Sequence, residues 1–437
     1  MALRTFKGGV HPPHKKELTE KKPIEYFPAP AEIVIPLQQH TGAQCVPLIK
    51  KGEPVERGQK IGDADSFVSA PIHSPVAGKV KAIEPRPYFT GRPVTSVVIA
   101  QGSDSNECQK IDDFEDLSPQ GIRKTIREAG IVGLGGAAFP THVKLSPPEE
   151  KPIDAVIING CECEPYLTAD HRQMLEDPDS ILEGAKLIMK AVSAKKVYLA
   201  IERNKPDAIE LFRSKRNKED GIEVIPLETK YPQGSEKHLI KAILGRTVPS
   251  GSLPMDVGAL VQNVGTAISV YKACYQGRPL IDRVVTVTGA GIYEPKNLRV
   301  PLGSPVKDLI EFCGGLVGEK VKVVMGGPMM GFALYSLDIP VVKCTSGILV
   351  LKEDEISTAE PFPCIKCGEC VKVCPMNLVP SRLGLLAEHE KWEELEEYSV
   401  LDCVECGSCA YVCPASRPLV QLIRIGKANV RQMKTRA

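Results

Sequence analysis

Two cysteine runs near the C-terminal end constrain this chain more than any other feature: Cys364-x-x-Cys367-x-x-Cys370-x-x-x-Cys374-Pro375 and Cys403-x-x-Cys406-x-x-Cys409-x-x-x-Cys413-Pro414. Three closely spaced thiolates can face one corner of an iron–sulfur cube. The fourth cysteine, before proline, is thrown away from that corner and ligates the other cluster of a two-cluster ferredoxin. The spacing therefore assigns Cys364, Cys367, Cys370 and Cys413 to one [4Fe–4S] cluster, and Cys403, Cys406, Cys409 and Cys374 to a second. Structural zinc is the competing reading. Four ligands per zinc, however, leave no reason for the third cysteine, the longer spacing or the doubled Cys-Pro.

A length of 437 residues leaves room for several cores. With 55 basic against 54 acidic residues, nothing electrostatic points to a nucleic-acid partner. Of fifteen cysteines, eight are accounted for as cluster ligands and the others follow no disulfide framework, so a reducing compartment is expected. The N-terminus has no apolar signal-like region and no run is apolar for long enough to cross a bilayer. A membrane location would thus rest on partners.

Composition shifts divide the chain into a multidomain α/β arrangement. Residues 1–28, with Gly8-Gly9-Val10-His11-Pro12-Pro13-His14, read as an extended arm and not a packed element. The two histidines make a poor metal-ligand set around Pro-Pro, so solvated side chains are the simpler reading. Short β runs and turns over 29–112 suggest a small β domain; the Pro75-Val76-Ala77-Gly78 turn resembles the barrel-sandwich type, without its Met-Lys-Met carrier tip. Over 113–280 apolar runs alternate with helical patterns: a helix around 117–129, strands near 155–158, 197–201 and 222–225, helices near 181–194 and 206–216. That alternation implies a parallel, Rossmann-like sheet with ligand loops beyond the strand C-termini. Residues 281–352 read as a β-grasp unit in which Met325–Gly331 is a turn with core methionines, though a second nucleotide loop is the other reading. Residues 353–437 read as a helical ferredoxin domain with one charged helix, 381–398, between the two cysteine runs.

Gly133-Leu134-Gly135-Gly136-Ala137-Ala138-Phe139-Pro140-Thr141-His142-Val143-Lys144 is, alone, a glycine-rich loop that suits either a tight turn under a sheet or close backbone approach to a phosphate or a flavin ring. It resembles the loop G-R-G-G-A-G-F-P-T-G-L-K of the NADH-binding flavoprotein subunit of respiratory complex I. Three more loops agree in order: Asn159-Gly160-Cys161-Glu162-Cys163-Glu164-Pro165 with N-A-D-E-S-E-P, Tyr231-Pro232-Gln233-Gly234-Ser235-Glu236 with Y-I-C-G-E-E, and Asn263-Val264-Gly265-Thr266 with N-V-E-T. In order of parts the chain is similar over essentially its whole length to the C-subunit family of Rnf electron-transport complexes, and that resemblance gives the third domain as SLBB-type. It implies noncovalent FMN held by Gly133, Gly135, Gly136, Ala137 and Thr266, with Lys144 toward the phosphate and Asn159, Glu162 and Asn263 bonding to ribityl or phosphate groups. It also implies NAD(H) stacked on the flavin, with Phe139, Glu164 and Glu236 lining the nicotinamide pocket. Leu134, Cys161 and Ser235 depart from the complex I pattern, replacing arginine, aspartate and glutamate. Cys161 and Cys163 alternate with acids, a setting opposed to thiolate reactivity, and read as loop filler.

Hydride transfer moves two electrons together, whereas a cluster accepts one at a time, and a flavin converts between them. The resemblance implies a peripheral subunit at the cytoplasmic face of the cell membrane. It would link NAD(H) to ferredoxin through the integral and other subunits of an Rnf-type complex, which move the ion. The alternatives are a flavin-free iron–sulfur adaptor and a soluble quinone- or thiol-reducing enzyme.

Overall fold

A computed structural model describes residues 4–102 and 107–436. The first three residues of the expected arm, residues 103–106 of the expected first β domain and residue 437 lie outside them. In the first domain Glu32–Pro36, Val94–Gln101, Gly78–Arg86 and Pro54–Val55 form one antiparallel sheet. Val46–Pro47, Lys60–Asp63 and Ile72–His73 form a second. Alternate apolar residues from both (Ile33, Ile35, Ile61, Ile72, Val97, Ile99) close a core between them, the sandwich that short alternating runs predict.

Four parallel strands form the centre of the next domain, in the order Ile222–Leu227, Lys196–Glu202, Ala155–Gly160, Ala259–Asn263. The continuous apolar run Val156-Ile157-Ile158 is needed because both faces are covered. Val156 and Ile158 join the core beneath helices Pro178–Ala191 and Val264–Gln276, while Ile157 joins Leu239, Ile240 and Ile243 of helix Glu236–Leu244. Chain order runs outward from Ala155–Gly160 on one side and returns at Ala259–Asn263 on the other. The crevice between these two strand ends is therefore a topological switch point, the place where open parallel sheets bind ligands. Asn159 and Asn263 are paired in register there.

The third domain is a mixed six-stranded sheet in the order Ile24–Tyr26, Lys296–Pro301, Asp282–Thr288, Gly347–Lys352, Val321–Met325, Phe332–Ala333, with helix Val306–Phe312. Its outermost strand comes from the N-terminal arm, and this corrects the expectation of an unpacked arm. The arm is extended but docked. Phe6, Val10, Lys16 and Thr19 are buried, Gly9 N–H donates to the Val373 carbonyl (2.8 Å), and Val10 and Tyr231 exchange backbone bonds (2.8 and 2.9 Å).

The expected helix 381–398 is two helices, Pro380–Glu388 and Trp392–Glu397. Leu383, Leu386, Ala387 and Leu395 share one core with Ile423 and Val430 of the terminal helix Leu419–Arg436. The chain turns between them through Glu390, at φ 53°, with Lys391 N–H bonded back to the Leu386 carbonyl (2.9 Å). The Met325–Gly331 segment also differs from its reading as a turn with core methionines. Only Met325 is buried in the core of the sheet domain; Met329 packs with Tyr231 and Cys406, and Met330 is exposed.

Candidate functional site

The glycine loop crosses the switch point. Gly135, Gly136 and Ala137 are exposed, and the N–H groups of Gly135 and Gly136 meet no protein acceptor in good hydrogen-bond geometry among the described residues. A Cβ on Gly136 would meet nothing within 4 Å, and one on Gly135 would stand 3.1 Å from the Asn263 Cβ, so the loop forms an open cradle against Asn263. Leu134 N–H donates to Thr266 Oγ1 (3.0 Å) and Gly133 N–H to the Phe139 carbonyl (2.9 Å), which fixes the loop at its base. Phe139 is half-buried beside it.

The remaining expected residues are brought together, each with protein partners. Asn263 caps helix Val264–Gln276 through Gly265 N–H (2.8 Å) and donates to Asp170 Oδ2 (2.6 Å). Asn159 donates to the Gly234 carbonyl (2.8 Å) and accepts from Cys161 N–H (3.1 Å), tying two of the loops together. The Glu162 carboxylate accepts from the N–H groups of Asp170 (2.8 Å) and His171 (3.2 Å), at the N-terminus of helix Ala169–Glu176. Lys144 is paired with Glu236 and donates to the Val261 carbonyl (2.6 Å). Glu164, expected in a nicotinamide pocket, accepts with its two oxygens from Met329 N–H (3.0 Å) and Met330 N–H (2.9 Å). A side chain on Gly327 would stand 2.3 Å from that carboxylate, so the close approach of the two domains here requires glycine. Burial, against the pull of those two amides, pushes Glu164 up to about 7.

Sequence reasoning missed three residues of this site. Asp170 joins Glu162 to Asn263, and burial followed by the Glu162 charge pushes its carboxyl up to about 7. Lys16 of the arm is 5% exposed and donates to the carbonyls of Glu162 (3.0 Å), Glu164 (3.0 Å) and Leu167, pinning the acidic loop from below. Lys205, buried and paired with Glu202 (3.2 Å), donates to the Cys161 carbonyl. Main-chain carbonyl partners leave no mark in a sequence, so Lys16 and Lys205 had no readable signal; Asp170, eleven residues past Asn159, is a helix-start acid that Thr168 announces. Burial, with Glu202 second, pushes the Cys161 thiol well up, the opposite of what a reactive thiolate needs.

The eight cluster cysteines surround two cavities. Cys374, Cys403, Cys406 and Cys409 line one, and Cys364, Cys367, Cys370 and Cys413 the other. The two motifs repeat one backbone conformation: Lys366 and Glu405 (φ 58° and 56°), then Gly368 and Gly407 (78° and 82°), lead into short helices carrying Cys370 and Cys409. Four thiols around a cavity, with main-chain N–H groups of Leu378 and Glu405 aimed at the sulfurs of Cys374 and Cys403 (both 3.4 Å), is a donor set that fits a cubane cluster. Among the described residues no three His, Cys, Asp or Glu side chains converge closely enough for a single ion. The first cavity faces the glycine-loop domain: Tyr231 Oη donates to the Cys406 carbonyl (2.7 Å) and His238 Nε2 meets the Pro375 carbonyl (3.1 Å). The second faces outward, with Cys364 and Cys367 exposed beside exposed Phe362 and Ile365.

The donor chemistry at the switch point likewise fits a flavin phosphate: exposed N–H groups on an open loop, the N-terminus of a 13-residue helix and a lysine. The buried side-chain amide of Gln233, in one of the same loops, and Nε2 of Gln262, in the strand leading to Asn263, lack a protein partner among the described residues.

Models of four families match in chain order: the RnfC barrel sandwich hybrid domain over 4–104, the Nuo51 FMN-binding domain over 126–272, the SLBB domain over 284–333 and the 4Fe-4S dicluster domain over 363–416. The chain is 49% identical over 98% of its length to the C-subunit of the proton-translocating ferredoxin:NAD(+) oxidoreductase complex of Clostridium ljungdahlii, covering 94% of that protein. It is 47% identical over 98% of its length to the Na(+)-translocating counterpart of Acetobacterium woodii, covering 97% of it. It is also 42% identical over 99% of its length to the C-subunit of the ion-translocating oxidoreductase complex of Rhodobacter capsulatus, covering 84% of that chain. A chain of an NAD+-reducing [NiFe]-hydrogenase in the H2-reduced state shares the fold, with TM-score 0.50 and 19% identity, over 72% of this chain and 63% of that one.

Proposed function

This chain belongs to the C-subunit family of ion-translocating ferredoxin:NAD(+) oxidoreductase complexes, and from that premise we propose that it is the NAD(H)-reacting electron-transfer subunit of such a complex. It sits peripherally on the cytoplasmic face of the cell membrane through integral partner subunits, and exchanges electrons with ferredoxin through another subunit. No helix among the described residues is long and apolar enough to cross a membrane, so ion movement belongs to those partners. The observation that carries the reading is the adjacency of an open glycine cradle at a switch point and two four-cysteine cavities, one of them bonded to the cradle domain through Tyr231 and Cys406.

In this reading Gly133, Gly135, Gly136 and Ala137 hold FMN with their main chain, Lys144 faces its phosphate, and Asn159, Glu162, Asn263 and Thr266 fix the loops around it. When bound, FMN supplies the exchange between a two-electron hydride and single electrons. Phe139 and Glu236 form the nicotinamide side, and Glu164 is the strut that holds that wall to the third domain. Glu236 also holds Lys144, so a phosphate at the cradle competes with Glu236 for the ammonium. Cys374, Cys403, Cys406 and Cys409 carry the cluster nearer the flavin; Cys364, Cys367, Cys370 and Cys413 carry the outer one, toward partner subunits. The protein's own work is placement: it stacks, excludes water and aims main-chain dipoles at sulfur.

A flavin-free adaptor is the second reading, favoured by Leu134 in place of arginine and by the partners already held by Lys144 and Asn159. Purified protein separates the two. Added FMN binds and is bleached by NADH in the first; it stays free and oxidised in the second.

A further inference from the structure

Behind the glycine loop, lined by residues of helix Val264–Gln276 and of the third domain, lies a cavity apart from the cysteines that meets the cradle at Asn263. Leu134 and Asn263 form its inner end. Its walls carry Lys272, Arg278, Arg283 and Arg299 against only two carboxylates, Asp170 and Asp282. Asp282 already serves two of the cations, pairing with Arg278 and with Arg299 Nη1 (3.2 Å). Asp170 is turned to Asn263. Arg283 is spent on main chain, donating to the Leu134 (3.1 Å) and Lys343 carbonyls. Lys272 makes one ion-pair contact, at 3.9 Å with Asp177 Oδ2, and otherwise shares the charge of Asp282 with the two arginines, although its side chain is only 18% exposed.

Half-buried like charges of this kind need an anion, since low local dielectric magnifies their repulsion and removes the water that would screen it. We infer that this cavity is a binding site for a phosphate-class oxyanion, held by Lys272, Arg278 and Arg299. Desolvation, with the charges of Arg299 and Arg278 adding to it, pushes the Lys272 ammonium down to about 8, a strain that a bound dianion relieves. Guanidinium forks suit a tetrahedral oxyanion. Arg283 links the cavity wall to the Leu134 carbonyl, so occupancy stiffens the back of the glycine loop.

The test is calorimetric titration of the full iron–sulfur-reconstituted chain at low ionic strength, with inorganic phosphate and with ADP separately, against chloride of matched ionic strength. It needs no bound flavin, so its failure leaves the proposed function untouched. We expect a saturable site for at least one of the two titrants, told apart from binding at the cradle or the nicotinamide side by its dependence on Lys272 and Arg278; which titrant binds there separates a free oxyanion from a nucleotide phosphate. Affinity should fall by about tenfold or more in Lys272→Met, as loss of a charge-assisted contact requires. Arg278→Gln is the second variant on the same wall, with the same expectation. Absence of a saturable site for both titrants in the unaltered chain, or undiminished binding in a folded variant, overturns the inference.

Discussion

Tyr231 Oη donates to the main-chain carbonyl of Cys406 at 2.7 Å, so one phenol ties the loop that carries Glu236 to the wall of the inner cysteine cavity. Tyr231 is 1% exposed and packs with Val10 of the arm, and the bond is a joint between two domains and the arm that crosses them. Tyr231→Phe keeps the ring and leaves a buried carbonyl without its donor, a loss of about 1–3 kcal/mol. We expect full iron content, a lower melting temperature, and a changed EPR signature for one cluster only. Equal change in both signatures would contradict the placement of Cys406 next to this joint.

The crosswise ligand assignment is checked by pairs of variants. Cys370→Ser and Cys413→Ser should each abolish the same cluster signature, and Cys374→Ser should abolish the other, as expected from the four thiols around each cavity. If Cys413→Ser and Cys409→Ser instead remove the same signature, ligation is sequential within each motif and the cavities have been assigned wrongly.

Lys144→Ala removes a charge-assisted contact to phosphate, and we expect FMN affinity to fall by about tenfold to a hundredfold with iron unchanged. Glu236→Gln releases Lys144 from its ion pair, so FMN should bind more tightly while NADH reduces it more slowly. Unchanged flavin affinity in Lys144→Ala, measured by fluorescence quenching, would remove Lys144 from the phosphate site.

Asp170 gives a pH signature. Its folded carboxyl is pushed up to about 7 by burial and by Glu162, above the unfolded value near 3.9. Between those values the native chain binds the extra proton, so the contribution to stability is fully present below about 4 and is lost as pH rises through about 7. Asp170→Asn keeps an acceptor for Asn263 and should flatten that slope, leaving the variant more stable than the parent by over about 1 kcal/mol at pH 8. Parallel stability–pH curves for the two proteins would show that Asp170 is ionised throughout.

Much of this was legible because the signals are local. The cysteine spacing announces two four-thiol cavities, and the run from Ala155 to Ile158 announces a strand buried on both faces. Helices Glu236–Leu244 and Val264–Gln276 were not among the predicted elements; they are marked by their ends and not by their periodicity, with Gly245 and Gly277 at their C-termini (φ 71° and 66°) and Asn263 capping the second. The rest was hidden for a physical reason. Lys16 binds carbonyls about 150 positions away, and Glu164 binds amides of Met329 and Met330; main-chain partners have no residue identity for a sequence to show. The break at Glu390 likewise follows from the need of Leu386 and Leu395 to reach one partner helix.

The most direct measurement is an anaerobic NADH titration of the chain reconstituted with iron, sulfide and FMN, following flavin absorbance and cluster EPR in the same sample. We expect about eight irons per chain, flavin bleaching at the first additions, and appearance of both reduced-cluster signals as NADH is added, with the Tyr231→Phe variant altering only the inner one. Bleaching of flavin with both clusters left oxidised, despite a potential low enough to reduce them, would contradict a continuous electron path through this chain.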